Sequence, residues 1–193
     1  MGHAEWARDL ARRLLETPLS RRWAHTQGVA ARAASLAPIL GDEVDTLTAA
    51  AYLHDVGYSP ELVDTGFHPL DGARYLRDVA GVDQRLCCLV AHHSCAVNEA
   101  TERALADVLR VEFTPEREGL TDALTYCDMT TGPDGGHLDV TERLAEIHSR
   151  YGPEHLVSRS IGVSTPCILT SVSAVKKALR QIGNAAIQGG ETV

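Results

Sequence analysis

Apolar residues recur at intervals of three and four along most of the chain, and no run alternates apolar with polar residues as a half-buried strand would. This periodicity restricts the fold to the all-α class. Breaker residues and cap signals divide it into helices. The first spans Ala4–Glu16 and ends in the turn Thr17-Pro18-Leu19. Ser20 is suited to cap a second helix reaching about Leu36, and Asp42, Glu43 and Asp45 favour the start of a third running to His54 and stopping at Gly57. Further helices are expected over Pro69–Ala80, Asp83–His93, Glu99–Arg110 (capped by Asn98) and Glu116–Met129. Asp139 with Glu142 three residues on is a capping box for a helix to Tyr151. A last helical region, interrupted near Gly162 and Pro166, is expected to end by Gly183.

A chain of 193 residues suits one domain. No repeat or linker divides it, so a core over 20–136 is expected, with helices over 139–183 packing on it and a loose tail over 184–193. The net charge is −8, with no basic stripe, which argues against nucleic acid as a primary partner. No stretch approaches a membrane span, and Met1–Asp9 has no apolar leader segment. A cytoplasmic setting is the expectation, with the five cysteines read as free, mostly buried thiols, because no C-x-x-C pair occurs. Cys95 as a nucleophile lacks an evident orienting base.

The nine histidines carry the functional signal. His25 lies on the stripe His25–Val29–Leu36, His54 continues Leu47–Ala51, His93 follows Leu86 and Val90, and Asp128 completes Leu120–Leu124. Four helices thus each direct an ionisable group inward, which is costly unless something compensates those groups. A lone buried histidine is more often a hydrogen-bonded core residue, and a lone Asp128 could simply pair with an arginine. Their coincidence with the dipeptide His54-Asp55, placed where a helix opens into a loop, points to a divalent metal that accepts imidazole and carboxylate together. His3, His137, His148 and His155 fall near the terminus, in turns or on polar faces, and read as surface residues.

His25, then His54-Asp55 within Leu53-His54-Asp55-Val56-Gly57-Tyr58, then Asp128 resembles the H…HD…D signature of the HD-domain metal-dependent phosphohydrolase superfamily over residues 22–136. The resemblance implies an all-α bundle with His25, His54, Asp55 and Asp128 holding one metal. The additional His68, His92 and His93 are similar to the binuclear subset of that superfamily. It would place Asp55, His68 and one of His92 and His93 on a second ion, with helical phase leaning towards His93. Fe, Mn, Co, Ni, Mg and Zn all suit such a donor set. Tyr58 stands where the cyclic-dinucleotide branch has lysine, and Ser94-Cys95-Ala96 replaces its G-Y-P tripeptide, which argues against that substrate.

The expected chemistry is attack by water, acidified to a pKa of about 7 by the metal, on a phosphomonoester or phosphodiester of a nucleotide or other small phosphorylated metabolite. Asp55 would bridge the ions and orient the water; Tyr58 or the non-ligating member of His92 and His93 would serve the leaving oxygen. Arg21, Arg22, Arg74 and Arg77 are candidates for phosphate oxygens, against a plain reading as solvated surface, and Thr130-Thr131-Gly132 for lining the opening. Two other classes fit the same residues: a di-iron oxygenase and a nucleotide-sensing module with little turnover. Neither the substrate nor an oligomeric state is written in the sequence.

Overall fold

The computed structural model describes residues 3–116 and 119–189. Its helices are α1 (His3–Leu15), α2 (Ser20–Ala34), α3 (Ala37–Leu40), α4 (Val44–Leu53), α5 (His68–Asp78), α6 (Gln84–His92), α7 (Val97–Glu102), α8 (Ala106–Glu112), α9 (Leu120–Met129), α10 (Val140–Tyr151) and α11 (Leu156–Gly189). Single 3₁₀ turns cover Gly41–Glu43, Val56–Tyr58 and His93–Cys95. Among the described residues there is no strand, only an isolated bridge between Thr131 and His137, and the fold is all-α as its periodicity requires.

The alanine-rich α4 is at the centre. Ala49, Ala50, Ala51 and Leu53 are fully buried, and the small side chains let α1 and α2 pack closely on it, with α6 and α9 behind. Phe67, Leu70, Leu76, Leu89, Leu109, Phe113 and Leu124 fill the other half of the core. The predicted capping box is present: Asp139 accepts from Thr141 N, and Glu142 accepts from Asp139 N. Asp83 caps α6 through Leu86 N. Ser20 is not a cap, since Leu19 occupies that position and makes no side-chain bond.

Three further expectations fail. The helix placed over Glu99–Arg110 is two, because Ala104 adopts a left-handed backbone (φ 57°) between α7 and α8, and Asn98 bonds Ser164 rather than capping. α11 runs unbroken through Gly162 and Pro166 to Gly189, past both the expected stop at Gly183 and the proposed start of a loose tail at 184. Its packing on α7, α9 and α10 outweighs the one backbone bond that Pro166 forfeits. Residues 190–193, the first two residues of the N-terminal leader reading, and residues 117–118 of the helix expected from Glu116 lie outside the described residues.

The cysteines also depart from expectation. Cys87, Cys88 and Cys127 are free and buried, and burial pushes the Cys87 thiol up to about 11. Cys95 and Cys167, however, form a disulfide between the 93–95 turn and α11, with Cα atoms 6.6 Å apart. Their separation of 72 residues gives no local spacing signal, and only the docking of α11 on the turn brings them together.

Candidate metal centre

The 54–58 segment places two consecutive donors in one space. His54 ends α4 with helical backbone (φ −56°), and Asp55 opens the 3₁₀ turn at φ −105°. Gly57 lets this turn lie directly on α5: a Cβ there would fall 2.0 Å from the carbonyl oxygen of His68. His68 is thereby held at the head of α5, facing Asp55, with Pro69 in the first turn where a missing N–H costs nothing.

His25 is fixed from the opposite side. The loop over 132–136 lies against α2 at Gly28, where a Cβ would meet Gly135 O at 2.3 Å. Gly135 itself has φ +82°, a conformation that favours glycine. The loop delivers Gly132 O to His25 Nδ1 at 3.0 Å.

Two groups of donors result, each with its ligand atoms mutually within 4.8 Å: His25, His54 and Asp128, and Asp55, His68 and His93. They adjoin, with the rings of His54 and His93 5.2 Å apart. Asp55 stands between them, its Oδ2 3.4 Å from His54 Nε2 and its Oδ1 3.4 Å from His68 Nε2. All six residues are buried or nearly so.

The imidazoles show what the cluster needs. His25, His54 and His93 donate Nδ1–H to the carbonyls of Gly132, Ala51 and Val90 at 3.0, 2.7 and 2.7 Å. A carbonyl only accepts, so Nδ1 carries a proton in all three, and the neutral form of such a ring presents a bare Nε2 lone pair to the interior. His25 Nε2 faces Asp128 Oδ1 at 3.0 Å and His93 Nε2 faces His68 Nε2 at 3.2 Å, while His54 Nε2 is buried without any hydrogen-bond partner. Lone pairs confronting lone pairs and carboxylate oxygens require a cation or extra protons. Outward Nδ1–H bonds of this kind also orient metal-bound histidines.

Protonation states agree with this. Burial lowers His54, and lowers His68 well below the ordinary imidazole range. Burial raises both carboxylates, but Arg22 and the imidazoles hold Asp55 well below its usual value, and the proximity of His25, His54 and Arg143 lowers Asp128. Neutral imidazoles beside ionised carboxylates are the ligand forms of both residue types. The donor set of four nitrogens and two carboxylates therefore fits divalent transition ions.

The centre opens into a cavity of about 410 Å³. Tyr58 lines it, stacked between His68 (3.9 Å) and the Arg22 guanidinium (3.5 Å), and burial raises its phenol so that it stays protonated. Arg22 reaches Asp55 Oδ2 at 2.5 Å. Arg21 is at the rim, bonded to Asp134. Arg74 and Arg77 do not reach the cavity; both bind Glu112 at the far end of α5. Thr130 and Thr131 turn inward, their hydroxyls on Tyr126 O and Cys127 O, so the neighbouring wall is formed by Met129 and Pro133 instead. His92 stands apart from both groups, donating Nε2–H to Phe113 O at 2.7 Å. His3, His137, His148 and His155 are exposed.

Ser94 and Arg143 join the site without being among the candidate residues that the sequence singles out. Ser94 donates to Asp128 Oδ2 at 2.5 Å from a left-handed backbone (φ 50°), followed by Cys95 at φ 58°. Two successive non-glycine residues in that region cost of order 1–3 kcal/mol each, and they re-aim the chain directly after His93. No residue type in His92-His93-Ser94-Cys95 announces such a turn.

The sequence model of the family described as HD domain matches residues 22–129, a span containing all six donors. Among curated proteins and solved structures, none matches the chain.

Proposed function

This chain belongs to the HD domain family, and on that premise we propose that it is a metal-dependent phosphohydrolase acting on a nucleotide or another small phosphorylated metabolite. The single observation that carries this reading is the pair of adjoining donor groups, His25/His54/Asp128 and Asp55/His68/His93, joined through the consecutive residues His54 and Asp55. Divalent ions, when bound, supply acidification of water near neutral pH and a positive clamp for phosphoryl oxygens.

The protein's own groups do the rest. Asp55 lies between the two donor groups, 3.4 Å from both His54 Nε2 and His68 Nε2, and is placed to orient an attacking water. Ser94 fixes the rotamer of Asp128. Arg22, stacked on Tyr58, presents a planar cation at the cavity wall, which suits a phosphate and has no role in oxygen activation. Tyr58 keeps its proton and is within the wall that a leaving oxygen would face.

The test is metal analysis of the purified protein, followed by a screen for phosphate release with Mn²⁺, Fe²⁺, Co²⁺ or Ni²⁺. Metal uptake and phosphate release are expected, and Asp55→Ala is expected to abolish both together. Oxygen consumption without phosphate release would turn the reading towards the oxygenase class. Retention of metal and turnover by Asp55→Ala would show that the site lies elsewhere.

A further inference from the structure

α10 lies outside the segment shared with the family, yet it sends a guanidinium into the same cavity. Its buried stripe is Val140, Arg143, Leu144 and Ile147, so an arginine occupies a position where the helix otherwise carries apolar residues. Arg143 is 6% exposed. Its Nη1 meets Glu146 Oε2 at 2.5 Å, its Nη2 is 4.0 Å from Asp128 Oδ1, and its Nε is buried with no hydrogen-bond partner. Arg150, one turn further and also on the cavity wall, binds the same Glu146 oxygen at 3.2 Å.

Two guanidiniums share one carboxylate, and the second nearby carboxylate, Asp128, stays 4.0 Å from Nη2 while accepting from Ser94. The charges balance, but the buried Nε–H is left without an acceptor, which costs about 1–3 kcal/mol. A planar fork with a free N–H beside the donor groups matches oxyanions that accept two parallel bonds. Beyond the arginines the wall carries an apolar patch of Ile147, Val157 and Ile161, interleaved with Ser160 and Ser164.

We propose that Arg143, backed by Arg150 through Glu146, forms an oxyanion subsite that binds phosphoryl oxygens at the donor groups and makes the cavity specific for a terminal phosphate on a body with an apolar or aromatic face. The inference rests on the phosphohydrolase reading and adds to it a specificity-determining pair contributed by α10. Arg143 is a binding residue here; Arg150 draws on the same Glu146 oxygen and so leaves the Arg143 fork freer for an anion.

The experiment is calorimetric titration of the whole protein with inorganic phosphate, with and without Mn²⁺, on the native chain, Arg143→Lys and Arg143→Met. Mn²⁺ stoichiometry is measured in parallel. Loss of one forked, charge-assisted contact predicts phosphate Kd weakened roughly tenfold in Arg143→Lys and further in Arg143→Met, with Mn²⁺ stoichiometry retained. Glu146→Gln, which frees the guanidinium, is expected to tighten phosphate binding. This variant keeps the inference testable should Arg143→Met fail to fold. Equal phosphate affinity in the native chain and Arg143→Lys would overturn the subsite. Failure of the parent reading looks different: no Mn²⁺ uptake or no phosphate-ester turnover by the native chain. Even then, the metal-free titrations decide on the subsite.

Discussion

Gly57→Ala tests how the two donor groups are held against each other. The added Cβ would sit 2.0 Å from His68 O and 2.6 Å from Gly72 N, about 1.4 Å short of the 3.4 Å where ordinary contact begins. Both obstacles are backbone, so no side chain can rotate away; the 56–58 turn and α5 must separate. Overpacking of this kind costs about 1–3 kcal/mol when side chains can adjust, so roughly 3 kcal/mol is expected here. For a chain of this size that lowers Tm by about 6–12 °C. Separation also moves His68 from Asp55 while leaving His25, His54 and Asp128 untouched. Calorimetric titration with Mn²⁺ should therefore show one site kept and one weakened at least tenfold. Gly72→Ala is the control: its Cβ meets Gly57 N at 3.1 Å, a strain of a few tenths of an ångström. Alanine's preference over glycine inside a helix, about 0.5–1 kcal/mol, offsets that strain. Two unperturbed sites at native stability in Gly57→Ala would refute the claim that this backbone contact aligns the donor groups.

Two other expectations concern the scaffold. Glu112, bound by Arg74 at 2.5 Å and Arg77 at 3.0 Å, has its carboxyl lowered from the ordinary 4.5 by the Arg74 hydrogen bond, followed by Arg77. A depressed folded value stabilises above the unfolded value and fades as pH falls through the folded one, so urea unfolding should show Glu112→Gln less stable by roughly 1 kcal/mol at pH 7, with the gap closing below about pH 4.5. A gap independent of pH would mean that the ion pairs contribute nothing. The Cys95–Cys167 bond closes a separation of 72 residues, which in the chain-entropy view stabilises by about 4 kcal/mol. Thermal unfolding with and without a dithiol reductant should reveal a loss of that order, and identical melting curves would show that the bond does not form in solution.

The helices and the inward histidines were legible because burial imposes a 3.6-residue period on anything facing the core, and His25, His54, His93 and Asp128 obey it. Arg143 obeys it too, in Val140–Arg143–Leu144–Ile147, so the same period marks it as inward once arginine is counted with the imidazoles and carboxylates. Helical phase leans towards His93, the one found in the second donor group, but only slightly, because His93 follows the last residue of α6 and its direction depends on an extended backbone (ψ 151°) with the left-handed Ser94 after it. The division at Ala104, the disulfide and the continuity of α11 all depend on long-range packing, which no local spacing records. Arg74 and Arg77 were misplaced for a simpler reason: their helix was correct, but their face was set by Glu112, far along the chain.

The two donor groups are not electrostatically equivalent, and that sets an order of filling. In the second group Asp55 already has a cation partner, since Arg22 Nη1 lies 2.5 Å from Oδ2 and stacks on Tyr58. In the first, Asp128 faces its nearest guanidinium, Arg143, at 4.0 Å, and His54 Nε2 has no hydrogen-bond partner. A divalent ion entering the second group meets a carboxylate whose charge Arg22 already offsets through a charge-assisted hydrogen bond of about 1.5–3 kcal/mol, whereas one entering the first meets Asp128 bonded by the neutral Ser94 and no guanidinium closer than 4.0 Å. Stepwise affinities separated by roughly tenfold or more follow, with the His25/His54/Asp128 group filled first. Repulsion between two bound ions would also separate the steps, but it does not depend on Arg22. Titration of Arg22→Gln distinguishes the causes: the gap narrows if the guanidinium is the competitor. An unchanged gap in Arg22→Gln would show that Arg22 does not compete for Asp55.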